Sequence, residues 1–316
     1  MNIPLIETKN LTKYFDTPRG KLHAVDSVNL AIGKGTTLGV VGESGCGKST
    51  LGRVILRLLD ATGGEVLYEG KNILNYSDRE MMNMRKSMQI IFQDPYASLN
   101  PRMTVSEIIA EPLKVCKVAD SEKKMDEKVS LLMDTVGLDE RFVNTYPHEL
   151  DGGRRQRIGI ARALALDPQF IVCDEPVSAL DVSIQAQILN LMMYLQDKRQ
   201  LTYMFITHNL SVVKHISDEI AVMYLGQCVE RAPSEELFRN PLHPYTSALL
   251  DAIPVPTLKS GSRRRQIIKG EVKSPINPKP GCRFAARCPK CKSVCNEEDV
   301  ELKEIERGHF VACNLI

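Results

Sequence analysis

Short apolar runs separated by polar turns fill the first hundred residues. Residues 3–11 and 25–32 lie on either side of a Pro-Arg-Gly turn at 18–20 and predict strands, and 36–41 is a compact apolar run. The period then changes. Leu51, Val54, Ile55, Leu58 and Leu59 recur at helical spacing, so 49–59 predicts a helix. Residues 63–70 read as a turn and a strand, and 88–92 as a buried strand. From 104 to 146 the pattern is helical, with 104–116 and 129–136 flanking a charged stretch at 120–128 and Gly137 as the stop. A helix over 158–166, a strand over 170–173, a helix over 183–198 and strands over 203–207, 219–224 and 227–232 follow. Beyond 233 a helix over 246–252 ends at Pro254 and Pro256. Arg263, Arg264 and Arg265 read as a solvated loop, and Pro275, Pro278 and Pro280 as a stiff linker. Strands alternating with helices predict an α/β fold with a helical insertion.

Chemistry enters at the first strand-to-helix turn. Gly42-Glu43-Ser44-Gly45-Cys46-Gly47-Lys48-Ser49-Thr50 fits G-x-x-x-x-G-K-[ST], the phosphate-binding loop. Backbone N–H groups must curl around phosphate oxygens, so side chains are absent at the tight points. The helix that follows faces its N–H groups and positive dipole end toward the anion. Lys48 is expected on the β- and γ-phosphates and Ser49 on Mg²⁺. Further along, Gln93 leaves a buried strand, Gly152 and Gly153 open a helix, and Asp174 and Glu175 end an apolar strand. Burying two acids there is costly without a cation or hydrogen bonds; one suits Mg²⁺ and the other a general base. His208 follows another strand, at the edge where such sheets bind ligands. Tyr14 and Phe15 offer flat faces for a base, although two adjacent aromatics are also ordinary core residues.

Bulk properties narrow the setting. The 316 residues suit one large domain with an appendage, or two domains. A net charge of +2 gives no global pull toward nucleic acid. No apolar run is long enough to span a bilayer and the N-terminus lacks a secretion signal, so a cytoplasmic location is expected. Five of nine cysteines, Cys282, Cys288, Cys291, Cys295 and Cys313, lie near the end, which in a reducing compartment favours a metal over disulfides. Their spacing admits zinc on four cysteines, zinc on three with His309, or an iron–sulfur cluster on four.

The ordered set of the 42–49 loop, Gln93, the 150–157 segment, Asp174-Glu175, residues 178–181 and His208 resembles ATP-binding cassette (ABC) ATPases over roughly residues 3–250. Asn240–Tyr245 and the terminal cysteines resemble the C-terminal extension of oligopeptide and dipeptide importer ATPases, a group that includes nickel importers. The resemblance implies a P-loop NTPase fold with a RecA-like core sheet, an antiparallel β subdomain, a helical subdomain and a small cysteine-rich extension. It divides the chain into a nucleotide-binding core at 1–94 and 161–232, a helical subdomain at 95–160 and an extension at 233–316. It implies an adenine-stacking role for Phe15, with Tyr14 as second choice, a Mg²⁺-touching relay at Gln93, a catalytic base at Glu175, a γ-phosphate switch at His208 and an interface residue at Asp181. It also implies a second ATPase subunit, two membrane permease subunits, an extracytoplasmic peptide-binding protein, a peripheral place on the cytoplasmic face of the membrane, and a [4Fe–4S] cluster on Cys282, Cys288, Cys295 and Cys313. A soluble cassette acting on nucleic acid is the rival class; one cassette per chain and the small net charge oppose it.

One position departs from the family. The signature Leu-Ser-Gly-Gly-Gln is here Leu150-Asp151-Gly152-Gly153-Arg154. The serine normally faces the partner's γ-phosphate, where an ionised Asp151 would meet like charge. At ~4 Å and an effective dielectric of ~20 that repulsion is about 4 kcal/mol, offset in part by Arg154. This favours a heterodimer whose partner supplies a normal signature.

Overall fold

The computed structural model describes residues 3–118, 121–253, 270 and 274–316. The expectations placed on Pro254, Pro256 and Arg263–Arg265 lie outside the described residues. Two compact units emerge: 1–32, 37–74 and 207–316 form the first, and 33–36 and 75–206 the second.

The first unit opens with β1 (Ile6–Thr17) and β2 (Gly20–Ile32), two long antiparallel strands. β1 runs further than the apolar pattern suggests because irregular pairing lets it continue through Lys13, Tyr14 and Phe15. β3 (Thr37–Val41) is buried along its whole length and leads into α1 (Lys48–Ile55). The helix ends earlier than its apolar spacing predicts: Leu58 and Leu59 N–H groups both turn back to the Arg53 carbonyl. β4 (Gly63–Tyr68) and β5 (Lys71–Asn72) complete a four-stranded antiparallel sheet of order β2-β1-β4-β5.

The second unit starts with α2 (Asp78–Ser87), which has a capping box between Ser77 and Glu80. Then come β6 (Met88–Ile91), α3 (Pro95–Ser98), α4 (Val105–Val115), α5 (Glu122–Thr135), α6 (Gly152–Leu164), β7 (Phe170–Asp174), α7 (Val182–Arg199) and β8 (Thr202–Ile206). β6, β7 and β8 are parallel neighbours, so the carboxyl ends of β6 and β7 deliver Gln93 and the Asp174-Glu175 pair to the same edge. α4 and α5 bury Ile108, Ile109, Leu113, Val129 and Leu132, and that apolar stripe makes the predicted helical stretch a packed layer.

The chain returns to the first unit with α8 (Leu210–Ile216), β9 (Glu219–Tyr224), β10 (Gln227–Pro233), α9 (Ser234–Arg239), α10 (Pro244–Asp251), β11 (Lys303–Glu306) and β12 (His309–Val311). β9 runs parallel to β3; β10, β12 and β11 add antiparallel strands in that order. The proline-rich linker is tied down: His23 N–H donates to the Pro275 carbonyl and Asn277 N–H to that of Lys21. Tyr245 and Phe284 join Val41, Val222, Tyr224 and Leu237 in one apolar cluster, so residues from the extension build the core beside β3 and β9.

His243 caps α10, its Nδ1 accepting from Tyr245 N–H at 3.1 Å, and is 1% exposed. Burial pulls its pKa down to about 4, so the folded protein keeps it neutral where the unfolded chain protonates it. Its contribution to stability is present above pH ~6.5 and fades as pH falls toward about 4. His243→Asn keeps an acceptor for the cap and removes the titration, so the thermal midpoint of the variant should fall less steeply than wild type over that window. Parallel pH profiles from differential scanning calorimetry check this.

Candidate nucleotide-binding site

The phosphate loop is shaped by backbone approaching backbone. Gly42, Gly45 and Gly47 have φ of 149°, 76° and 102°, all in the positive range that favours glycine. A Cβ on Gly47 would sit 1.9 Å from the Ala24 carbonyl oxygen, and one on Gly42 would sit 2.2 Å from that of Met223. Lys48 is 5% exposed, and its Nζ donates to the carbonyls of Gly42 at 2.9 Å and Glu43 at 3.0 Å. Cys46 is buried and burial raises its pKa, so it remains a neutral thiol inside the turn. With N–H groups bared by glycine, a cation folded over the loop and Ser49 and Thr50 in the first turn of α1, these residues fit a phosphate-bearing ligand.

Glu43 ties this loop to the extension. Arg287 donates to both of its carboxylate oxygens, at 2.8 and 3.0 Å, and also to the Tyr224 hydroxyl at 3.2 Å. The Glu43 N–H donates to the Tyr245 hydroxyl at 3.0 Å. The paired carboxylate raises the Arg287 pKa above its already high ordinary value, and burial raises that of Tyr245. These partners are missing from the sequence reading because 244 residues separate Glu43 from Arg287. A polar residue inside the loop facing an arginine in the extension carries no local signature.

Tyr14 is engaged where it stands. It stacks on His23 at 3.9 Å, and its hydroxyl donates to Asp26 at 2.6 Å, which with burial pushes its pKa up to about 12. Arg283 from the extension pairs with the same Asp26. Phe15 carries the Lys13 ammonium 5.0 Å from its ring centre. His208 is exposed, between buried Thr207 and Asn209, whose side chain caps α8.

In the second unit Asp174 ends β7 at 1% exposure. Glu175 takes a left-handed φ of 48°, a strained posture for a side chain of this size. Its Oε2 accepts from Gln93 Nε2 at 2.9 Å, and its N–H donates to the Ile206 carbonyl. Two of the polar groups singled out by sequence are therefore in direct contact. Asp151 is the N-cap of α6: Oδ1 accepts from Arg154 N–H at 2.8 Å while the Arg154 guanidinium pairs with Oδ2. Gly152 and Gly153 form the first turn, with Gly153 packed near Ile184 of α7. Asp181 caps α7 through Ile184 N–H.

The terminal cysteines lie in a compact turn region. Cys282 N–H donates to the Cys295 carbonyl at 2.8 Å, Cys282 and Cys288 pack against the apolar cluster, and Cys291 is exposed. Burial, reinforced by neighbouring thiols, pushes Cys282 up to about 11 and raises Cys288. Among the described residues, His309 has Glu236 and Glu306, not cysteines, as the potential donors within 4.8 Å of it in a group of three.

Comparison with known proteins fits this geometry. Residues 25–178 match the ABC transporter family model, and 229–295 match the oligopeptide/dipeptide transporter C-terminal region. The oligopeptide transport ATP-binding protein OppF of Bacillus subtilis is 52% identical over 99% of this chain and 97% of its own. The dipeptide transport ATP-binding protein DppF of Haemophilus influenzae is 49% identical over 99% and 97%. A solved dimer of the ATP-binding cassette MJ0796 in a post-hydrolysis state with ADP and Pi superposes with a TM-score of 0.66 at 30% identity, covering 72% of this chain and 98% of that one. These likenesses establish the ABC cassette fold. They correct the iron–sulfur expectation: the relatives are described as peptide-transport ATP-binding proteins, and none as binding iron–sulfur. Cys282 and Cys288 are half-buried and pack against the apolar cluster that holds Tyr245 and Phe284.

Two substitutions separate loop shape from loop anchoring. Gly45→Ala costs about 1–2 kcal/mol from its φ alone, since its Cβ meets nothing within 4 Å. Gly47→Ala adds a backbone collision, so its thermal midpoint should fall well below that of Gly45→Ala. Arg287→Ala should lower unfolding free energy by about 1–2 kcal/mol, measured by denaturant titration.

Proposed function

The chain belongs to the ABC transporter family, among its oligopeptide and dipeptide transport ATP-binding proteins, and we infer that it is the subunit that hydrolyses ATP to drive a peptide importer. The observation that carries this reading is near-full-length identity to such proteins in a chain whose phosphate loop is intact. The relatives' names cover both dipeptides and oligopeptides, and the cargo class is therefore peptide.

The proposed roles follow residue by residue. The N–H groups of residues 43–50 cradle the phosphates, Lys48 neutralises them, and Phe15 stacks on the adenine. Bound Mg²⁺ offsets charge on the phosphates; Ser49, Gln93 and Asp174 are the oxygen donors such a hard cation takes. Glu175 is the general base that accepts a proton from the attacking water, and the Gln93 amide beside it fixes its carboxylate. His208 reads the γ-phosphate. Asp151, Gly152 and Gly153 serve the nucleotide of a second ATPase subunit, and Asp181 lies at that interface. The proposed division is the core at 1–94 and 161–232, the helical subdomain at 95–160 and the extension at 233–316.

Among the described residues no helix is long and apolar enough to cross a membrane; the likeness to peptide-importer ATP-binding subunits implies membrane permease partners. We place two permease subunits and an extracytoplasmic peptide-binding protein in the assembly, with this chain peripheral on the cytoplasmic face. Asp151 favours a heterodimer. As an N-cap it is a sound replacement for serine, but it brings charge toward the partner's γ-phosphate, and its own Arg154 absorbs part of that charge.

Glu175→Gln should cut ATP turnover by about 10²–10⁴-fold while leaving ATP binding in place, as read by phosphate release and equilibrium binding. Unchanged turnover overturns the assignment. Asp151→Ser keeps a helix cap and removes the charge, so ATPase activity of the assembled transporter should rise; no change removes the heterodimer argument. Pull-down from native membranes should bring permease subunits and a peptide-binding protein, and recovery of nucleic acid in their place favours the rival class.

A further inference from the structure

We propose that the extension carries a binding site for a divalent transition-metal ion on His309, Glu236 and Glu306, separate from the nucleotide site and from the cysteines. His309 opens β12 and is paired directly with Glu306 on β11; Glu236 lies on α9. One donor atom from each of the three lies within 4.8 Å of the others. An open cavity of about 490 Å³ is lined by these residues together with Pro233, Glu235, Arg239 and Arg307.

The decisive observation is the histidine. His309 is 1% exposed, and its Nε2 lies 2.8 Å from Glu230 Oε1, whose carboxylate is fully buried. Glu230 also accepts from the N–H groups of Leu242 at 2.7 Å and His243 at 3.0 Å. A carboxylate can only accept, so Nε2 carries the proton. That leaves Nδ1 buried without a hydrogen-bond partner. Leaving a buried polar atom without a partner is unfavourable, and a cation on the Nδ1 lone pair removes that cost. A carboxylate holding one ring nitrogen of a histidine that lines an acidic cavity is the support metal-ligating histidines commonly have.

The donor set is one imidazole and two carboxylates, which suits zinc, cobalt, manganese or iron and leaves a position for water. Glu306 is exposed and Glu236 is half-buried, so modest side-chain rotations can draw both onto an ion. Glu236 is also paired with Arg239, whose side chain is 79% exposed and free to swing away. Metal binding would pin β11 and β12 to α9, fastening the end of the chain to the unit that carries the phosphate loop.

Cobalt(II) is the test probe, because thiolate ligation gives an intense charge-transfer band that nitrogen and oxygen donors do not. The full chain, stripped with a chelator and free of nucleotide, is titrated beside the double variant Glu236→Gln, Glu306→Gln. Both changes sit at the cavity surface and leave the buried His309–Glu230 pair alone. Wild type should bind one equivalent more than the variant, and the difference spectrum should lack the sulfur band. Equal stoichiometry, no binding by either protein, or a lost equivalent that carries the sulfur band each overturn the proposal.

Discussion

The nucleotide site depends on a loop whose backbone lies so close to neighbouring backbone that side chains cannot be tolerated at its turning points. β3 delivers residue 42 from a fully buried strand, and α1 departs from Gly47 under the Ala24 carbonyl. Between these fixed ends the N–H groups have little choice of direction, and Lys48 is folded over the loop by two carbonyls. A preorganised cradle of this kind holds an anion without first paying to order itself.

What fixes the loop from behind is the extension. Arg287 grips both oxygens of Glu43, Tyr245 receives the Glu43 N–H, and Tyr224, Tyr245 and Phe284 pack in tilted and edge-on pairs with centroids 4.7–5.4 Å apart. Arg283 reaches Asp26 on β2, beside the strand the loop packs under. The extension thus belongs to the same physical unit as the phosphate loop, and its apolar residues complete the cluster that supports β9.

Local chemistry was legible in the sequence and long-range packing was not. Glycine spacing located the loop, because a Cβ on Gly42 or Gly47 would collide with neighbouring backbone. The apolar run ahead of Asp174 and Glu175 placed them at the end of a buried strand, because only a buried strand is apolar on both faces. The Gln93–Glu175 contact was not legible, since the register of two parallel strands sets it. α2 was missed although Ser77 and Glu80 spell a capping box. β11 was missed because all four of its residues are exposed and give no apolar alternation. The iron–sulfur cluster came from the family resemblance and not from the spacing, and the relatives' descriptions do not support it.

The most direct test of the account is equilibrium binding of ATP with Mg²⁺ to the full chain and to Lys48→Ala. The account predicts saturable binding of one nucleotide per wild-type chain, weakened about tenfold or more in the variant, as expected when a charge-assisted contact is lost. Equal affinity in the two proteins would contradict it.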